Sequence, residues 1–242
     1  MESKLDQEYW RDHWQAEKFS IAPQHHPIRQ WIESEVAQTT DADVFEVGCY
    51  PGKFLAVFGE KGYTLNGIDC FSEKYSTMQN WFKDEGYKVG QFYQSDFFGV
   101  LPAQQYDIVC SFGFIEHFED WPEALSRHVG LIKAGGHIMI DVPNLKSPLY
   151  YLLYKILEPR VLKNHYLSVM NIDAISDVLE KNGCTVKTAT YLGYFYFRFV
   201  THTNKLSLVV TKCINLLRPL FELLPKSVYM RYIVVSAVKQ AV

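Results

Sequence analysis

The sequence has no Cys-x-x-Cys pair. Its five cysteines, Cys49, Cys70, Cys110, Cys184 and Cys213, are scattered and odd in number. That pattern argues against a disulfide framework and a structural zinc site, and no metal is expected; it fits reduced thiols in a cytoplasmic setting. No apolar run approaches the roughly 18 residues that cross a bilayer. The opening stretch MESKLDQEYWRDHW is charged and aromatic, unlike a secretory leader. Strong charge of one sign is missing too. The net charge of -3 gives a polyanion-binding role no support, so nucleic acid is not an expected partner. There is no internal repeat and no low-complexity tract. A complete Gly-x-Gly-x-x-Gly is also absent, so nothing marks a pyrophosphate site.

What is present suits a single folded unit. The chain has 242 residues, 48% apolar and 21% charged, enough for a sizeable core. Residues 5–18 and 27–38 read as helices, the second placing Ile28, Trp31, Ile32 and Val36 on one face. Strands and helices then alternate. DVFEV is a short strand, GKFLAVFGEKG a helix, YTLNGID a strand, and Ser72 to Glu85 a helix closed by Gly86. VGQFYQSD and YDIVCSF are strands, Trp121 to Lys133 a helix, HIMIDVP a strand, and Ile172 to Asn182 a helix before TVKTATYL. YIVVSAV is the last strand. This rhythm predicts an α/β sheet with helices on both faces, and ligands at the carboxyl ends of its strands. Those ends are Gly48–Gly52, Asp69, Asp96, Ser111–His117 and Asp141–Asn144.

The first of them is a glycine turn, VFEVGCYPGK, where Gly48 and Gly52 leave backbone room after a buried strand. Asp69 ends the next strand, 21 residues beyond Gly48. An acid at about that distance is placed to accept both hydroxyls of a ribose. A Tyr-x-x-x-Lys spacing at Tyr151–Lys155 is shared with short-chain dehydrogenases, but it lies in an apolar, tyrosine-rich stretch.

Five motifs in series carry a resemblance. EVGCYPG, GIDCF, QSDFF, YDIVCSFGFIEHF and LIKAGGHIMIDVPN occur in the order and spacing of the class I S-adenosylmethionine-dependent methyltransferases, over roughly residues 40–200. The chain is distantly similar to their ubiquinone-biosynthesis O-methyltransferase branch. The resemblance implies a Rossmann-like seven-stranded sheet, mostly parallel with the last strand antiparallel. It implies S-adenosylmethionine as cofactor and S-adenosylhomocysteine as product. Residue by residue, it sets Glu46, Gly48, Cys49, Tyr50 and Gly52 around the methionine part, and Asp69 and Cys70 along the ribose. Asp96 and Phe97 fall at the adenine, and Ser111 and Phe112 near the methionine amine. The pattern departs at Tyr50, where the family has a middle glycine, and at Ala134, where it has proline.

Methyl transfer from a sulfonium asks chiefly for alignment and exclusion of water. A base is needed when the acceptor is a hydroxyl or a protonated amine, and His117 is the candidate. Glu116, His165 and Tyr166 are candidates for facing the acceptor. Tyr9, Trp10 and Trp14 could fold over the cofactor as a lid.

One domain, 1–242, is expected, with N-terminal helices in 1–40 and helical additions at 145–170 and 203–229 that shape the acceptor site or a membrane or partner surface. Residues 145–170 carry four basic residues against one acid, and 203–231 five against one. Thr211, Asn215, Arg218 and Glu222 form a polar stripe on an otherwise apolar helix. Basic amphipathic helices of this kind lie on anionic membranes, here through 147–163 and 204–224, at the inner face of the cell membrane. The same faces would suit a homodimer. The expected acceptor is a small or lipid- or glycan-linked molecule, methylated at oxygen rather than nitrogen. A non-catalytic S-adenosylmethionine-binding module at the membrane is the alternative.

Overall fold

Seven strands pair in the order β3-β2-β1-β4-β5-β7-β6. They are β1 (Asp43–Val47), β2 (Thr64–Asp69), β3 (Val89–Gln94), β4 (Tyr106–Phe112), β5 (Ile132–Pro143), β6 (Cys184–Leu192) and β7 (Tyr232–Lys239). The computed structural model describes residues 19–39, 41–70, 75–99, 103–200 and 204–241. The helix expected at 5–18, and with it Tyr9, Trp10 and Trp14, lies outside the described residues. β1 to β5 run parallel, and β7 is antiparallel to both β5 and β6. The chain order reverses between β1 and β4, so the crevice above their carboxyl ends is where such sheets bind ligands.

Alternating side chains divide the core between the two faces of the sheet. Val44, Leu65, Ile108, Cys110, Met139 and Val234 pack under helices α1 (Pro27–Glu35), α2 (Leu55–Glu60) and α3 (Tyr75–Asp84). Phe45, Val47, Val109, Ile138, Ile140 and Val235 pack under α4 (Trp121–Gly130), α5 (Pro148–Leu157), α6 (Pro159–Lys163) and α7 (Ile172–Lys181). Short polar side chains start these helices by accepting free backbone N–H groups. Asp120 caps α4 through Glu123 N, Ser147 caps α5 through Tyr150 N, and Asn171 caps α7 through Asp173 N and Ala174 N. Two expected helices are shorter than their apolar periodicity suggested. α1 ends at Glu35, not residue 38, and α4 ends at Gly130 because Ile132 and Lys133 already belong to β5.

The last addition is not one helix. It breaks at Leu217 and Pro225 into α8 (Lys205–Leu216), α9 (Arg218–Phe221) and α10 (Lys226–Tyr229). Its polar stripe faces the protein. Asn215 pairs with both backbone groups of Phe197 at 2.8 Å, and Glu222 accepts from Phe195 N at 3.3 Å and from Arg218 Nε at 2.7 Å. Among the described residues no strand pairs with the extended segment 194–199, and these side chains satisfy its backbone instead. The leucines consequently turn outward: Leu206, Leu208, Leu216, Leu220 and Leu223 are all exposed, Leu223 by 83%.

Candidate functional site

Gly48 and Gly52 both have the positive φ that a side chain opposes, +73° and +83°. The space their missing side chains leave is filled by the protein. A Cβ on Gly48 would lie 2.6 Å from the Phe114 ring, and one on Gly52 would lie 2.4 Å from the Phe82 ring. The turn is stapled to the end of β2. Gly48 N and Cys49 N donate to Ile68 O, Tyr50 N donates to Asp69 Oδ2 at 3.0 Å, and Gly52 N donates to Cys49 O. Every N–H in this turn is therefore used inside the protein, which leaves none to cradle a pyrophosphate.

Tyr50 is the residue most able to obstruct the turn. Its φ is not positive, and its ring is buried in the core beneath α1 to α3. The ring meets Phe19 edge-on at 6.0 Å, and Phe19 stacks on Trp81 at 5.8 Å. Cys49 is likewise buried, with its sulfur 3.6 Å from the Tyr75 hydroxyl. Phe97 packs between Phe114 and His128. Cys49, Tyr50 and Phe97 thus place their side chains in the core. Cys70 and Asp96 are exposed, and Asp96 Oδ1 accepts from Phe98 N.

The chemistry collects along the carboxyl edge of β1, β4 and β5. Four buried oxygens there have no hydrogen-bond partner among the described residues: Glu46 Oε2, Ser111 Oγ, Glu116 Oε2 and Asp141 Oδ1. Buried polar groups are nearly always satisfied, so four orphans on one edge point to a missing ligand. Burial, then the charge of Asp69, pushes the Glu46 carboxyl well above the usual range, against a backbone hydrogen bond with Leu55. Burial also raises Glu116, with Asp141 adding to it against a backbone hydrogen bond. Asp141 is pushed up to about 8 by burial, with Arg231 opposing. A carboxyl in that range can take up a proton near neutral pH.

Beyond β4, the turn Ile115–His117 meets the addition after β5. Tyr166 N donates to Glu116 O at 2.7 Å. His117 Nδ1 lies 2.7 Å from Asn164 O, and His165 Nδ1 lies 2.6 Å from Val161 O. A carbonyl only accepts, so both Nδ1 atoms carry hydrogen, and Nε2 is the basic nitrogen of each neutral ring. The rings are 4.7 Å apart, and His117 Nε2 is 3.9 Å from Glu116 Oε1. Glu116, His117 and His165 offer donor atoms within 4.8 Å of one another, a set that could hold a divalent ion as well as a proton. A separate cavity of about 390 Å³ opens beside Tyr63, Asp107, Lys133 and His137 at the opposite edge of the sheet, away from all of these groups.

Residues 22–189 match the methyltransferase domain family. The chain belongs to that family, within the class I S-adenosylmethionine-dependent methyltransferases. The methyltransferase is 25% identical over 154 residues to a ubiquinone biosynthesis O-methyltransferase of Rickettsia felis; the match covers 62% of each chain, under two thirds of that relative. The corresponding Acinetobacter baumannii enzyme is 24% identical over 199 residues, 78% of this chain and 82% of its own. Two solved structures share the fold. A SAM-dependent methyltransferase from Archaeoglobus fulgidus has a TM-score of 0.54 at 22% identity, covering 88% of this chain and 93% of its own. Magnesium protoporphyrin IX methyltransferase from Synechocystis, solved with bound SAH, has 0.57 at 12%, covering 96% and 93%.

The methyltransferase brings Glu46, Gly48, Asp69, Ser111, Glu116 and His117 to one edge of its sheet, and it brings His165 and Tyr166 onto Glu116 and His117. Sequence reasoning named the end of β5 but passed over Asp141 as a titrating group. It also missed Phe114, which shields Gly48, and Arg231, which reaches Asp141 electrostatically. Asp141 and Arg231 meet only because β5 and β7 pair, with Pro143 opposite Tyr232.

Proposed function

We propose that this methyltransferase moves the methyl group of S-adenosylmethionine to an oxygen of a small or lipid- or glycan-linked acceptor. The observation that carries this is the row of orphaned oxygens, Glu46 to Asp141, beside a turn whose own amides are all engaged. Those acceptors suit an amine-bearing cofactor without a pyrophosphate. Glu46 would hold the methionine amine with Ser111 and Phe112 nearby, and the turn Gly48, Cys49, Tyr50 and Gly52 would flank it. Asp69 would hold the ribose hydroxyls beside Cys70, with Asp96 and Phe97 at the adenine. When bound, the cofactor supplies a methyl group already activated by its sulfonium.

The chain's own residues then align the acceptor, exclude water and take its proton. His117 is the base in this reading, with its Nε2 turned toward Glu116 and His165 by the bond at Nδ1. Glu116, His165 and Tyr166 flank the acceptor. Calorimetry with S-adenosylhomocysteine tests the cofactor site. Asp69→Ala should weaken binding at least tenfold, about 1.4 kcal/mol; unchanged affinity would remove the ribose assignment. Turnover of an acceptor decides between an enzyme and a pure binding module.

The outward leucines of α8 and α9, with Lys205, Lys212 and Lys226, support contact with an anionic lipid surface. No helix among the described residues is long and apolar enough to cross a membrane. Flotation with anionic vesicles should carry the protein upward at low salt and release it at high salt. A protein that stays at the bottom and sediments as a dimer would assign this face to a second copy.

A further inference from the structure

Asn164 closes α6, and nothing in the backbone there asks for an asparagine. Its φ of -89° and ψ of 4° lie outside the left-handed region that favours asparagine at a helix end. Its N–H donates to Arg160 O and Val161 O at 3.2 Å, and its own carbonyl accepts from His117 Nδ1 at 2.7 Å. The main chain of Asn164 is therefore fully used. Its side chain is not. Nδ2 is buried and has no hydrogen-bond partner among the described residues. A side-chain amide nitrogen carries two hydrogens to donate. Burying it idle costs stability, and native proteins seldom do so.

The facing segment holds an idle acceptor. Glu116 is 1% exposed, and its Oε2 has no partner either. Two bonds clamp the segments together: His117 Nδ1 to Asn164 O, and Tyr166 N to Glu116 O at 2.7 Å. The idle atoms belong to the two residues whose carbonyls are gripped, Glu116 and Asn164. A donor and an acceptor that met directly would bond each other, so these two are held apart. The Glu116 carboxyl also reaches the end of the sheet. Its Oε1 lies 3.5 Å from where a Cβ on Gly113 would stand, and Gly113 N donates to Asp141 O. The pair thus stands where β4 and β5 end, beside His117.

One donor and one acceptor select among ligands. A group with lone pairs alone, such as an ether, leaves Glu116 idle. An ammonium, with hydrogens alone, leaves Asn164 idle. A hydroxyl or the edge of an amide satisfies both. Sites that leave buried polar groups unpaired by the wrong ligand discriminate strongly against it.

We propose that Asn164 Nδ2 and Glu116 Oε2 together read one polar group of the acceptor, a hydroxyl or an amide edge that gives a hydrogen to Glu116 and takes one from Asn164. Asn164 is then a specificity-determining residue. Its assignment to the acceptor rests on the methyl-transfer reading above; the binding of a polar group between the two atoms does not.

The test is NMR on the isotope-labelled full chain, loaded with S-adenosylhomocysteine, with EDTA present so that no metal ion competes for Glu116. The Asn164 side-chain amide signals are assigned through their own backbone. Benzyl alcohol supplies a hydroxyl, benzamide an amide edge, and benzyl methyl ether a lone pair without a hydrogen. Benzyl alcohol or benzamide should shift the Asn164 amide signals and bind at least tenfold more tightly than the ether. The tighter of the two names the group. Asn164→Asp should weaken that probe at least tenfold. Adding Glu116→Gln should restore most of the loss, because donor and acceptor have then changed places; a merely structural role gives no such rescue. The parent's own signals carry the test even if a variant fails to fold. The proposal is overturned if no probe moves those signals, as when a resident water holds both atoms, or if the ether binds as well as the others. A double variant that folds and binds no better than Asn164→Asp overturns it too. Shifted signals in a chain that takes up no S-adenosylhomocysteine would leave the pair standing and sink the cofactor reading instead.

Discussion

Asparagine in place of Asp141 is expected to stabilise the protein above neutral pH and to remove a pH dependence. Burial raises the Asp141 carboxyl from 3.8 to about 8, with Arg231 pulling the other way. Between those values the folded protein keeps a proton that the unfolded chain has lost. Stability therefore falls as pH rises from about 4 to about 8, and it levels off above the folded pKa. The slope is at most about 1.4 kcal/mol per pH unit, an upper bound of roughly 6 kcal/mol over the whole range. Asparagine has nearly the same shape and no charge to bury. In a chain of this size each kcal/mol moves the Tm by roughly 2–4 °C. Melting followed by circular dichroism at constant ionic strength, from pH 5 to 9, should show the variant's Tm gaining on the parent's with each unit up to about 8. Arg231→Gln should carry the parent's decline to higher pH, because it removes the charge that favours ionised Asp141. Parallel curves for parent and Asp141→Asn would refute the electrostatics argued for this edge.

Gly48→Ala should cost roughly 2–4 kcal/mol, combining a left-handed backbone with a contact inside the Phe114 ring. Adding Phe114→Leu should recover the steric part but not the backbone part; a full recovery of Tm would show that φ is no constraint. Dialysis against EDTA should leave methyl transfer intact, since His117 is read as a base. A loss restored by magnesium or manganese would make Glu116, His117 and His165 a metal centre. Asn215→Leu should free the Phe197 amide and carbonyl and destabilise by about 1–3 kcal/mol. A neutral or stabilising effect would mean that segment 194–199 does not depend on α8.

The strands were legible because each is a short apolar or alternating run, β1 to β6 closed by glycine, proline or an acid, and all seven form where expected. Asp69 was legible from its spacing to Gly48, because both sit at strand ends one helix apart. The tertiary partners were not. Gly52 reads as room for a ligand, yet Phe82, thirty residues on, fills that room. Asp141 and Arg231 are ninety residues apart, and only the antiparallel return of β7 beside β5 brings them together. Periodicity carried the helix from Trp121 as far as Lys133, because Leu131 and Ile132 continue the apolar pattern into a strand. The stripe of Thr211, Asn215, Arg218 and Glu222 was legible as a stripe. Its direction depended on unpaired backbone at Phe195 and Phe197, which no local pattern announces.

That inward stripe gives α8 and α9 a mechanical character. They cannot swing away from the body without stripping hydrogen bonds from Phe195 and Phe197, so their leucines form a fixed plate rather than a hinged arm. The same segment carries Tyr196 to Arg231, beside the carboxyl end of β5 at the mouth of the crevice above the strands. Whatever surface the plate rests on, the tilt of the whole molecule is set at that contact, and the height of the mouth above the surface is set with it. An acceptor anchored in that surface would be presented to the mouth at one depth. Chain length between anchor and reactive oxygen then becomes a selectivity ruler built from one side-chain amide and a carboxylate.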